Sequence, residues 1–134
     1  MKQNKAMTIV GWILTLGVSG MLLMSAFFKF AAAEEMVKAF TEQFGFPLET
    51  LRPIAIAEVA SVLFFLIPQT RVLGAILITG YLGGAIVTHV RLADYDITMP
   101  ILLGVGAWLA LFFRDERVRQ LAPITWPNTP SEPK

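Results

Sequence analysis

The sequence predicts an all-α protein: a four-helix transmembrane bundle with an external amphipathic helix between its first two spans. Three observations lead to this class. Hydrophobic residues make up 55% of the 134 residues and charged residues only 16%. The apolar residues fall in four blocks, each near the ~20 residues that a helix needs to cross about 30 Å of hydrocarbon. Backbone polar groups in lipid must be satisfied within their own segment, so such blocks become helices; membrane strands would show shorter, alternating segments.

The first block, residues 6–28, holds 23 residues without a charge. Its flanks imitate a secretory signal, with the basic "MKQNK" before it and Ala31, Ala32 and Ala33 after it. The block exceeds the ~7 to 15 apolar residues of such a signal, so an uncleaved span is expected. The second block, residues 53–68, has 16 residues and includes Glu58, and residues 48–51 can lengthen it at its outer end. The third, residues 72–90, has 19 residues broken only by His89, and the fourth, residues 97–113, has 17. Between the first two, "EEMVKAFTEQFGFP" places Met36, Phe40 and Phe44 on one helical face and spaces Glu34 and Lys38 as an i, i+4 pair. Gly45 and Pro47 then stop it. A helix lying in the outer interface or capping the bundle follows. Residues 1–121 form the four-helix membrane domain, and the proline-rich residues 122–134 read as a disordered cytoplasmic tail.

Charge sets the orientation. With four spans both termini share one side, which collects Lys2, Lys5, Arg71, Arg114, Arg117, Arg119 and Lys134, while Lys29, Lys38, Arg52 and Arg91 fall on the other. The excess of basic residues places both termini in the cytoplasm. Trp12 and Trp108 then lie near the cytoplasmic interface, where indoles collect.

In this arrangement His89 sits ~3 Å below Arg91 at the outer surface, and Glu58, six residues past Arg52, lies roughly 9 Å deep. Lys29 closes the first span on the same side. A carboxylate held in hydrocarbon costs several kcal/mol unless it faces the bundle interior and has a partner, on the order of 2.5 to 3.5 kcal/mol at the centre of a span. Lys29, Glu58 and His89 are therefore expected to line an external pocket, with Ser61 adding a hydrogen bond to Glu58 and Arg91 at the mouth. The bland readings stay open beside this one. His89 can serve as an interfacial ring, Lys29 and Arg91 as snorkelling anchors, and Glu58 as a protonated group joining helices. Gly80 and Gly84 form a GxxxG step extended by Thr88, a pattern that lets a neighbouring backbone approach.

Some chemistries are excluded. One histidine gives no bis-histidine haem and the absence of cysteine removes thiolate metal sites and iron–sulfur clusters, so no metal site, catalytic residue or intrinsic cofactor is assigned. Eleven basic against ten acidic residues argue against a nucleic-acid partner.

"GMLLMSAFFKF" ending the first span, "EEMVKAFTEQFGFP" in the connection, "IAIAEVASVLFFLIP" with its glutamate and "LGGAIVTHVR" with its histidine resemble, in order, the DoxX-like family of small four-helix integral membrane proteins. The resemblance runs from about residue 17 to residue 114, with Ala26 standing where the family often has glycine. It implies that Lys29, Glu58 and His89 match recurrent polar positions. It also implies a bacterial inner (plasma) membrane and a link to oxidoreductase systems, since members include the small subunit of a membrane thiosulfate:quinone oxidoreductase. The expected function is an auxiliary, quinone-binding subunit of a membrane oxidoreductase system, not catalytic on its own. Its partners would be the lipid bilayer, a redox protein and a second copy, the last through Gly80 and Gly84 if the chain is a transporter. A small proton-coupled transporter and a purely structural assembly subunit are the alternatives.

Overall fold

The computed structural model describes residues 4–93 and 96–121, whose regular structure is entirely helical. The expected tail at residues 122–134 and the acidic Asp94 lie outside the described residues. Helix α1 (Lys5–Phe30) starts at Asn4, whose side chain accepts a hydrogen bond from the Met7 amide at 2.8 Å, so an orphan donor of the first turn is satisfied. A short α2 (Glu34–Lys38) continues as a π-helical turn, Ala39–Gln43, and a 3₁₀ turn at Leu48–Thr50 leads into α3 (Leu51–Leu66). Then come α4 (Arg71–Arg91), α5 (Thr98–Arg114) and α6 (Glu116–Leu121). Helices α1, α3, α4 and α5 fall on the four apolar blocks. Pro53 and Pro100 sit in first turns, where a missing N–H costs nothing, and α3 ends before Pro68.

By length and composition α1, with 26 residues, and α4, with 21, are long and apolar enough to cross a membrane; α5 has 17 residues and α3 has 16. Helix α1 packs on α3 and α5, and so does α4, which closes the four into a ring. Neighbours run antiparallel. Gly11 near the start of α1 meets Ala110 and Arg114 at the end of α5, and Gly74 near the start of α4 meets Phe65 at the end of α3. The core between them is filled by Val18, Leu22, Val62, Phe65, Ile78 and Leu111. Outward faces are apolar as well: Ile13, Leu16, Phe27, Val87 and Leu102 are all exposed. A soluble bundle would carry charge there, so this surface suits hydrocarbon.

The close approaches of helices lie elsewhere than the GxxxG spacing implies. A methyl group at Gly80 or Gly84 would meet no atom within 4 Å, and Thr88 is half-buried with its hydroxyl donating to its own helix at the Gly84 carbonyl, 2.9 Å away. Within the chain those positions therefore do not seat a neighbouring backbone. Gly74 does, against the Phe64–Phe65 backbone, and Gly11 does, with the Ala110 carbonyl 2.9 Å from where a Cβ would stand. A smooth helix face is legible from spacing; what packs on it is not.

At the end of the ring that holds the start of α1, an unforeseen latch fastens α6. Asp115 pairs with Arg71 at 2.8 Å, and the buried Arg114 guanidinium stacks 4.6 Å from the Trp12 ring centre. Arg119 donates to the Phe112 carbonyl at 2.7 Å, covering an orphan acceptor at the end of α5.

Candidate functional site

At the opposite end the ring encloses a cavity of about 560 Å³, in the range of small-molecule sites. Its walls are mostly apolar and come from every long helix: Met21 and Leu22, Ile54, Leu82, Met99 and Leu103. The connection between α1 and α3 folds over it, contributing Met36, Phe40, Phe44 and Phe46. This is the face anticipated from the four-residue steps, now turned inward. Its π-helical turn places Phe40 in the core, a distortion often found at functional sites. The chain enters the cover through Ala32, at φ 49°, and leaves it through Gly45, at φ 71°, both left-handed; the glycine does so without steric cost.

Two charges stand among these apolar walls. Lys29, in the last turn of α1, and Glu58, in the middle of α3, pair at 2.7 Å between Nζ and Oε2. Their side chains are 4% and 1% exposed, so each is almost wholly dependent on the other for the solvation it has lost. Lys29 Nζ also donates to Ser25 Oγ, one turn earlier on α1, at 2.6 Å. The Phe40 and Tyr81 rings each lie 5.8 Å from the ammonium, within cation–π range. Glu58 Oε1 is buried and has no hydrogen-bond partner.

The remaining anticipated residues divide. His89 lines the same cavity but is not part of the ion pair: its Nδ1 is 2.7 Å from the Ala85 carbonyl, and its ring lies 5.3 Å from Phe44. Arg91 donates to the Phe44 carbonyl at 2.6 Å, so it ties the cover to the end of α4. The expected bond from Ser61 to Glu58 is not made. Its hydroxyl donates to the Ala57 carbonyl at 2.7 Å, the local i−4 bond that serine readily prefers inside a helix. Gly80 and Gly84 line the cavity, where their lack of side chains leaves room.

Ser25 and Tyr81 were not foreseen as members of the site. Ser25 lies one helical turn before Lys29, and Tyr81 lies two turns before His89 with Ala85 between them, so the spacings alone could have suggested both.

A ring of outwardly apolar helices around a chamber with one buried ion pair defines a small helical membrane protein with an internal, ligand-sized cavity. The model of the DoxX-like family matches residues 6–111, and the chain belongs to that family. No curated protein and no solved structure matches it.

Proposed function

We propose that the chain is a four-span protein of a bacterial inner membrane whose cavity holds the head group of a quinone-type amphiphile, as an auxiliary subunit beside a redox partner protein. The observation that carries this reading is the polar lining of the cavity: an ion pair at 2.7 Å with one carboxylate oxygen unpartnered, among walls of methionine, leucine and phenylalanine. Polar groups that converge within an apolar pocket suit a ligand with a small polar head and an oily body. A merely structural ion pair would not need a chamber beside it.

Length supports four spans. The turn at Leu48–Thr50 adds to α3, and the two together rise about 30 Å, enough to cross hydrocarbon. Lys5, Arg71, Arg114, Arg117 and Arg119 gather at the end away from the cavity, which favours that end as cytoplasmic and puts the cavity toward the outer leaflet. The helical cover is then external. The chain carries no electron acceptor of its own in this reading. Its part is to hold the head group near a partner that supplies electrons, with Glu58 able to exchange a proton with the ligand.

Heat unfolding in the presence of a short-chain quinone tests this. The unmodified chain is expected to gain several degrees on saturation, because a ligand that binds only the folded form stabilises it by mass action. Lys29→Met together with Glu58→Leu, which removes both polar groups, should lose most of that gain while its ligand-free melting is recorded separately. An equal gain in the double variant would remove the ion pair from the binding site.

A further inference from the structure

The proposed function leaves open which chemical form of the head group the cavity accepts, and the hydrogen-bond inventory of its ion pair answers this. An ammonium has three N–H donors, and Lys29 commits two, to Ser25 Oγ at 2.6 Å and Glu58 Oε2 at 2.7 Å. One donor remains. A carboxylate is an acceptor only, and Oε1 of Glu58 is buried without a partner. Tyr81 interacts with the carboxylate, yet Oε1 still lacks a bond of acceptable geometry. Ser25, Lys29 and Glu58 all line the cavity. The pair therefore offers a surplus donor and a surplus acceptor side by side.

We infer that the site selects an amphiphile whose ring bears a hydroxyl, a hydroquinone or phenol, over the corresponding carbonyl compound. A hydroxyl oxygen accepts from Lys29 while its proton is donated to Glu58 Oε1, so one group satisfies both. A quinone carbonyl can accept from Lys29, but it has no proton for Oε1 and sets a second acceptor against it. Leaving a buried acceptor unmet while bringing up another is penalised most strongly where water is excluded. The preference follows from the ion pair alone and needs no reaction within the chain.

The test uses the full chain in detergent, titrated anaerobically with a benzoquinone carrying a decyl chain and, separately, with the same compound reduced to the hydroquinone. The hydroquinone is expected to bind at least tenfold more tightly. That ratio would raise the midpoint potential of the bound two-electron couple by about 30 mV. Equal binding, or preference for the quinone, overturns the inference and leaves the proposed function standing; failure of both forms to bind overturns the two together. Glu58→Gln, whose amide can donate to a carbonyl, should bring the ratio to near unity or reverse it. A variant that keeps the tenfold preference also overturns the inference, and the ratio in the unmodified chain decides the matter if the variant does not accumulate.

Discussion

Lys29→Met is expected to destabilise the chain by about 3 to 5 kcal/mol, the cost of leaving a buried carboxylate without its counter-ion. Glu58 is 1% exposed, so little solvent is at hand to replace the lost ammonium. Thermal unfolding in detergent should fall by roughly 10 °C or more, judged by the response of domains of similar size. A paired change separates stability from function. Exchanging both members for apolar residues of similar volume, Lys29→Met with Glu58→Leu, removes the unpaired charge, and such replacements are often neutral or stabilising. The double variant should recover most of the lost stability and bind no quinone-type ligand. Full ligand protection in that double variant would mean that the pair serves packing only. A double variant no more stable than the single one would mean that the ion pair itself is indispensable to the fold.

Gly74→Ala is expected to cost about 3 kcal/mol, at the upper end of what overpacking does, because the added methyl would overlap backbone and not a yielding side chain. Its nearest neighbours would be the amide nitrogen and Cα of Phe65, across the tight α3–α4 turn. Relief requires the two helices to part where Phe65 and Ile78 are completely buried. The same substitution at Gly80 or Gly84 is the control. Each meets open space, so the helix gains the ~0.5 to 1 kcal/mol by which alanine exceeds glycine, while the cavity loses the volume of a methyl. Thermal unfolding of the three variants side by side checks the contrast. Comparable losses at all three positions would contradict the close α3–α4 contact described above.

Residues that hydrocarbon leaves with few options were legible in the sequence. The four apolar blocks had no alternative to helices, and their boundaries lie within a few residues of α1, α3, α4 and α5. Lys29 closed one such block and Glu58 stood alone in another, so the need for compensation paired them across 29 positions. The i, i+4 spacing of Met36, Phe40 and Phe44 likewise marked the residues that cover the cavity. Uncharged polar residues were harder to read because a helix supplies them with a nearby acceptor at no cost. Ser61, Thr79 and Thr88 all take the carbonyl four residues back, whereas Ser25 accepts a bond from Lys29. Sequence does not distinguish those cases. Small residues pose a similar ambiguity, since Gly74 admits a backbone and Gly84 leaves a void. The latch of Arg71 on Asp115 joins groups 44 positions apart at an end where both could have been solvated, so neither was forced to find the other.

The cavity's role as a ligand site is tested most directly by native mass spectrometry of the chain purified from a bacterial membrane in mild detergent. The expected spectrum shows one quinone-type amphiphile per chain, absent when the Lys29→Met, Glu58→Leu double variant is purified in the same way. A chain that carries only phospholipid, or a variant that retains the amphiphile as fully as the unmodified protein, would contradict it.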